Sequence, residues 1–169
     1  MSVQRFVTLR SATLKHRIAQ RDGRDHVVVP VVALVEGVIH PVNAPHAELV
    51  KAERFASSLS EWEGQPIFAG HPMKDGIPVD GHLDDILPLS FGFVANAKAT
   101  NTQLTMEAWI DPDRAATSDG GKRILERATH DTPDVIEVSV GVFVTMQDAE
   151  GEFNGRKYKG EWMAIKPNP

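Results

Sequence analysis

Residues 135–145 read VIEVSVGVFVT, a stretch in which β-branched residues alternate with other side chains. Successive side chains of a strand point to opposite faces, so the pattern predicts a strand with two unlike faces. The apolar face would contain Ile136, Val138, Val140, Val142 and Val144. The other face would carry Glu137, Ser139 and Gly141, and a slip of one residue would bury them. This strand therefore predicts both a sheet with a packed face and the orientation of Ser139.

The flanking segments are also mainly β in pattern. We expect a buried strand over 27–38, with Pro30 at an edge or a bulge, and further strands over 66–69, 89–97, 104–110 and 161–166. Helices are predicted over 46–62 and over 121–128, the second with Asp119 as its cap. About eight strands and two helices favour a mainly β (α+β) fold, either a β-barrel or a strongly curved sheet with helices packed outside.

The first 26 residues differ from the rest in charge. They contain six Arg or Lys against two Asp, whereas the whole chain has a formal net charge of −5. We expect a basic N-terminal hairpin over 1–26, followed by one domain over 27–169. The basic segment is either a solvated edge strand or a surface that docks on an acidic partner or a neighbouring subunit.

Composition excludes several classes of protein. The chain of 169 residues has no cysteine, so disulfide scaffolds, thiolate zinc sites and cysteine nucleophiles are excluded. No apolar run approaches the ~20 residues that span a bilayer, and we expect no secretory signal. The acidic balance gives nucleic-acid binding no support. We expect a soluble cytoplasmic protein without nucleic-acid or membrane partners.

Two residues carry the chemistry that the sequence predicts. Ser139 would lie on a rigid strand beside Gly141, which leaves room for a close approach of another backbone or a substrate. His71 lies between Gly70 and Pro72, which restrict its backbone and so the direction of its imidazole. A histidine is the usual base for a serine nucleophile. The alternatives are a solvent-facing serine and a loop histidine that caps local backbone.

A metal site is a further alternative. Histidine and aspartate are crowded in the loop after residue 70, but no standard ligand spacing appears there. The candidate ligands are His71, Asp75, Asp80, His82, Asp84 and Asp85. We expect no cofactor and no bound metal.

Several short motifs, taken in order, resemble those of the tailed-phage prohead (capsid maturation) proteases. They are VPVVAL at 29–34, WEGQPI at 62–67, GHP at 70–72, FGFVAN at 91–96, the segment 104–111 and EVSVGV at 137–142. The resemblance covers roughly residues 27–169. It implies a largely antiparallel β-barrel ringed by a few helices, similar to the herpesvirus assemblins.

The resemblance also implies site residues. His71 matches the family's histidine base, and Ser139 matches its serine nucleophile. A third member, His, Asp or Glu, generally follows the serine by a few tens of residues. The resemblance implies an Asp-His pair just after a proline such as Pro169, and Glu137 is the alternative within the chain. Backbone N–H groups would stabilise the oxyanion, for example at the Gly120–Gly121 turn.

The implied function is that of a serine endopeptidase in phage capsid maturation. Its partners would be scaffold and major capsid precursors inside the assembling prohead, in the cytoplasm of the bacterial host, and it would also cleave itself. A homo-oligomer is left open. The alternatives are a catalytically incomplete protease-like scaffold or assembly protein, and a metal-dependent hydrolase. With the third member beyond Pro169, we expect the 169-residue form to be slow or inactive.

Overall fold

Two five-stranded sheets share one apolar core. The computed structural model describes residues 2–12, 15–130 and 135–168, apart from the side chains of residues 9–12 and 135–136. The main core contains Ala33, Leu34 and Leu104 from one sheet, and Val142 and Val144 from the other. The fold is mainly β, as predicted, and forms a curled half-barrel. Closure into a full barrel remains a prediction.

The described residues contain fourteen strands and three α-helices. The strands are β1 (Ser2–Ala12), β2 (Arg17–Arg21), β3 (Arg24–Val35), β4 (Gly37–Ile39), β5 (Glu48–Val50), β6 (Pro66–Ile67), β7 (Met73–Lys74), β8 (Ile77–Pro78), β9 (Gly92–Ala99), β10 (Gln103–Ile110), β11 (Val135–Gln147), β12 (Gly151–Phe153), β13 (Arg156–Tyr158) and β14 (Glu161–Pro167). The helices are α1 (Leu59–Trp62), α2 (Pro112–Ala115) and α3 (Asp119–Thr129). Short 3-10 turns occupy Ala52–Arg54, Ala56–Ser58 and Leu87–Leu89.

The strand order separates the two sheets clearly. The first sheet has the order β1-β11-β14-β5-β4, and the second has the order β2-β3-β10-β9-β6. Two small hairpins, β7-β8 and β12-β13, project from these sheets. The first sheet contains the strand that carries Ser139, and the second sheet provides the opposite wall of the core.

The predicted faces of β11 are confirmed where side chains are described. Val140, Val142 and Val144 are buried, whereas Glu137 and Ser139 are exposed. The same alternation continues to Thr145, which is exposed. The side chain of Ile136, also assigned to the apolar face, lies outside the described residues. Burial of the β-branched valines thus sets the register of β11.

The prediction of a hairpin within residues 1–26 is wrong. β1 pairs antiparallel with β11, and β2 pairs antiparallel with β3, so β1 and β2 belong to different sheets. The turn that joins β2 to β3 is Asp22-Gly23, where both residues have positive φ angles of 53° and 74°. Such two-residue turns favour a tight hairpin. Both β1 and β2 are edge strands, and the division into a segment 1–26 and a domain 27–169 stays a prediction.

The buried strand around Pro30 forms as predicted, with different bounds. Val27, Val28 and Val29 are buried in β3, which pairs with β10 along most of its length. β2 pairs with β3 only as far as Val28 within the described residues. Pro30 therefore lies where one side of β3 has no neighbouring strand, a position at which its missing N–H is tolerated.

The predicted helix over 46–62 is correct only at its end. Leu59–Trp62 is helical, but Glu48–Val50 is a strand between β4 and β14, and two 3-10 turns lie between. The reason is a buried carboxylate. Glu48 is fully buried and receives hydrogen bonds from Arg5 Nη2 at 2.7 Å and Trp162 Nε1 at 2.6 Å. These partners lie far away along the chain, so a helical period in one segment could not indicate them.

The second predicted helix is confirmed with a different cap. α3 begins two residues earlier than expected, and the hydroxyl of Ser118, not Asp119, accepts the hydrogen bond from the N–H of Gly121 at 3.0 Å. A serine hydroxyl at this position satisfies one of the free donors of the first turn.

A charge on the inner face of β11 should prevent folding. We expect Val142→Asp to abolish soluble expression or to remove the thermal unfolding transition, because burying an unpaired carboxylate costs several kcal/mol of a total stability of about 5–15 kcal/mol. Thr145→Asp, on the exposed face of the same strand, is the matched control and should unfold within a few degrees of the wild type. Equal thermal stability of the two variants would show that the faces of β11 are reversed.

Candidate functional site

Ser139 lies on the outer face of β11, directly opposite Thr8 of β1. The carbonyl of Gly141 accepts a hydrogen bond from the N–H of Asn168 at 2.8 Å, so the backbone of Gly141 points away from β1. By the period of a strand, the backbone of Ser139 points the same way. Thr8 and Ser139 are therefore a pair without mutual backbone hydrogen bonds, the type in which side chains lie closest. The Thr8 hydroxyl donates a hydrogen bond to Ser139 Oγ at 3.2 Å.

His71 comes to Ser139 from the loop between β6 and β7. Its Nε2 lies 2.7 Å from Ser139 Oγ, although 68 residues separate the two in sequence. Gly70 has a φ angle of +102°, a conformation that favours glycine, and Pro72 restricts His71 to extended backbone. The structure thus brings together the two residues that the sequence singled out, and their catalytic roles stay predictions.

An aromatic contact holds the imidazole from the side of β1. The rings of Phe6 and His71 meet edge to face with centroids 4.5 Å apart. Phe6 is paired opposite Gly141, and a Cβ at Gly141 would lie 3.4 Å from the Phe6 ring and 2.5 Å from the carbonyl oxygen of Asn168. The glycine therefore permits the close approach of another backbone, as the sequence predicted.

The protonation state of His71 follows from its surroundings. The ring is half-buried, and burial lowers its pKa below the ordinary value because the charged form loses hydration. At neutral pH the ring is then neutral, and Nε2 can accept the proton of Ser139. Thr8 donates to Ser139, and when the neutral ring carries its proton on Nδ1, Ser139 donates to Nε2 of His71, so the three groups form a consistent chain of donors and acceptors.

The third member stays a prediction. Within the described ranges, the hydrogen bond to Ser139 is the one that the His71 ring makes, and burial is the cause of its lowered pKa. Glu137 lies on the same exposed face as Ser139 and borders the cavity described next. Thr8 and Phe6 were missed in the sequence analysis, because only the pairing of β1 with β11 brings them to this site.

Ser139 and His71 border a cavity of about 250 Å³ that residues of both sheets line. Its walls are largely apolar and include Val29, Val31, Met106 and Ala108 of the second sheet, together with Val138 and Val140 of β11. Ile124 of α3 adds to the wall. A concave apolar site with a few convergent polar groups is the usual form of a binding site.

The acidic loop does not assemble a metal site. No group of three His, Asp or Glu residues suited to a metal ion occurs among the residues that the structure describes. Asp85 instead pairs with Lys74 at 2.9 Å, and Asp80 accepts a hydrogen bond from the backbone N–H of His82 at 2.8 Å. His71 is directed to Ser139 and not to these carboxylates.

One of the two expected oxyanion donors is already bonded elsewhere. The N–H of Gly121 is already bonded to the Ser118 hydroxyl in the cap of α3. The Gly121 half of the suggested donor pair is therefore occupied. The source of the oxyanion donors stays a prediction.

Comparison with known proteins is informative at the level of the fold. Neither a protein-family model nor a curated protein matches the sequence. Among solved structures, the chain is similar to the bacteriophage T4 capsid assembly protease gp21, with a TM-score of 0.58, 8% sequence identity, and coverage of 98% of this chain and 94% of that one. At this identity the likeness shows a shared fold. None of the described helices has the length and apolar character needed to cross a membrane.

The lowered pKa of His71 can be measured directly. We expect the midpoint of the His71 ring titration, followed by NMR, to lie below the ordinary histidine value of about 6.5, because burial disfavours the imidazolium. The same residue in urea-unfolded protein should return the ordinary value. A midpoint above that value in the folded protein would require an anionic partner at the ring and would contradict this description.

Proposed function

We propose that this protein is a serine endopeptidase that cleaves scaffold and major capsid precursors during phage prohead maturation. The observation that carries the proposal is the contact of 2.7 Å between Ser139 Oγ and His71 Nε2 at the mouth of an apolar cavity. The fold shared with the T4 capsid assembly protease supports the choice of substrate class. The herpesvirus-protease-like barrel that the motifs imply belongs to the same proposal.

The reaction follows from the order of donors and acceptors. Neutral His71 takes the proton of Ser139 as Oγ attacks the scissile carbonyl, which forms a tetrahedral oxyanion. The imidazolium then gives the proton to the departing amine, and the C–N bond breaks to leave an acyl-serine. Water, deprotonated by His71, attacks the acyl carbon; the bond to Oγ then breaks as the imidazolium returns the proton to Ser139, and the acid is released. A lowered histidine pKa keeps the base form available at and below neutral pH.

Thr8 has a positioning role in this mechanism. Its hydroxyl donates to Ser139 Oγ and so selects the serine rotamer in which the proton points to His71. When Oγ loses its proton, the same donor stabilises the negative charge that develops. The edge-to-face contact of Phe6 with the His71 ring supports the imidazole.

The setting of the reaction is the assembling prohead in the cytoplasm of the bacterial host. There the enzyme would meet its precursors at high local concentration and would also cleave copies of itself. The strand β2, at the edge of its sheet and with Arg17 and Arg21 half-exposed, is available to a neighbouring subunit or to an acidic partner. A phage or prophage origin is part of the proposal.

A second candidate is a protease-like assembly protein with little chemistry. The observation that favours it is that no carboxylate among the described residues bonds to the His71 ring. Loss of the orienting carboxylate lowers the rate of serine proteases about 10⁴-fold. A slow protein of this kind would fold and assemble as the enzyme does, so only a direct test of Ser139 separates the two.

Labelling with a fluorophosphonate distinguishes these candidates. We expect the intact mass to rise by one phosphonyl group, with fluoride displaced by Ser139 Oγ and peptide mapping locating the adduct at that residue. Ser139→Ala should abolish labelling, and His71→Gln should slow it at least tenfold because the base is lost. Ser60→Ala, an exposed serine in α1, is the matched control and should label normally. Failure of the wild type to react would favour the assembly protein.

The role of Thr8 can be tested with two variants of similar size. Thr8→Val removes the hydroxyl and should slow labelling of Ser139 about 2- to 10-fold, the equivalent of one net hydrogen bond of about 0.5–1.5 kcal/mol. Thr8→Ser keeps a hydroxyl and should recover most of the rate. If the two variants react equally, the hydrogen bond to Ser139 has no part in the reaction.

A further inference from the structure

We propose that the cavity beside Ser139 is a specificity pocket for a large apolar side chain, such as Leu, Met or Phe, on the residue whose carbonyl Ser139 attacks. This inference rests on the proposed function, since it names the substrate class of the same site. It specifies the substrate's side chain next to the attacked carbonyl. The fold and the Ser139–His71 pair do not specify that side chain.

The position of the cavity selects which substrate residue it serves. Ser139 and His71 are themselves part of its lining, so the cavity adjoins the pair of residues that would carry out the reaction. A side chain attached next to the attacked carbonyl has the shortest path into such an opening.

The walls of the cavity determine the polarity of the substrate side chain that it would bind. The floor is built from two cross-strand pairs of the second sheet, Val29 with Ala108 and Val31 with Met106. Val140 closes the cavity from the first sheet. A charged side chain in this space would lose its hydration without gaining a partner from these walls, which strongly disfavours it. Glu137, at the border, is the one carboxylate among the lining residues that the structure describes.

The volume of the cavity determines the size of the substrate side chain that it would bind. An apolar protein cavity of about 150 Å³ accommodates a benzene ring. The cavity here is about 250 Å³, so a Leu, Met or Phe side chain fits with room to spare. An alanine side chain would leave most of the space unfilled. Burial of a large apolar group in place of a methyl group corresponds to about a 10- to 100-fold gain in reaction rate.

Ala108 is the residue that keeps the cavity open. It lies on β10 between Met106 and Ile110, two inward-facing residues that are buried, yet it is itself only partly buried. A larger residue at this position would extend into the cavity from its floor. Thr105, on the same strand, alternates to the outer face and does not line the cavity.

The test uses diphenyl phosphonates of single amino acids that differ only in side chain: Ala, Leu, Phe, Asp and Lys. Ser139 Oγ attacks phosphorus, the P–O bond to one phenyl group breaks, and phenol leaves with the proton relayed by His71. Labelling rates are read from intact mass. We expect the Leu and Phe probes to react at least tenfold faster than the Ala, Asp and Lys probes. Equal rates, or a faster Asp or Lys probe, would contradict the proposal that the cavity is an apolar specificity pocket.

Variants of the residues that line the cavity test whether the cavity causes the preference for apolar probes. Ala108→Leu should reduce the ratio of the Leu-probe rate to the Ala-probe rate from at least ten to about one. Thr105→Leu, the matched control, should keep the ratio of the wild type. If Ala108→Leu does not fold, Val31→Ala enlarges the floor instead and should raise the ratio of the Phe-probe rate to the Leu-probe rate. An unchanged ratio in the folded variant would contradict the assignment.

The outcomes separate this inference from the proposed function. If the simple fluorophosphonate labels Ser139 but the side-chain series shows no apolar preference, the serine chemistry stands and the pocket is wrong. If no probe labels Ser139, the proposed function fails and the pocket fails with it.

Discussion

The alternation of β11 is the constraint on which the rest of the structure depends. Burial of Val140, Val142 and Val144 in the shared core allows one register, and that register exposes Ser139. The neighbour on one side is β1, which brings Thr8 and Phe6 to the same face. On the other side, β14 pairs with β11 only over residues 142–147 within the described residues, so Ser139 lies beyond the last of these pairs. The apolar core thus determines the geometry of a polar site.

A buried ion pair holds the first sheet together around this strand. Arg5 of β1, Glu48 of β5 and Trp162 of β14 meet in the interior, and both oxygens of the fully buried Glu48 carboxylate accept hydrogen bonds. Breaking such a pair by removing one partner typically costs about 3–5 kcal/mol, because an uncompensated charge stays buried. The pair orients β1 next to β11, and so contributes to the position of Thr8 without touching the site.

The sequence predicted those features that depend on short-range patterns. The faces of β11, the buried strand at Val27–Val29 and the end of α1 follow from alternation, apolar composition and helical period. The pairing of β1 with β11 and the strand at Glu48 did not follow. Each depends on partners many tens of residues away, which a local pattern does not contain. Ser139 and His71 were found because residue type and motif order indicated them, whereas Thr8 and Phe6 have no signal apart from the sheet.

The likeness to the T4 capsid assembly protease concerns the fold, and the chemistry must be argued from this chain's own residues. Those residues form an ordered series from Thr8 through Ser139 to His71, at the opening of an apolar cavity. The most direct test is a crystal structure of the protein after reaction with the leucine phosphonate. We expect a bond between phosphorus and Ser139 Oγ, His71 Nε2 within hydrogen-bond distance of the adduct, and the isobutyl group between Ala108 and Val140. An adduct on another residue, or His71 turned away from the adduct, would contradict it.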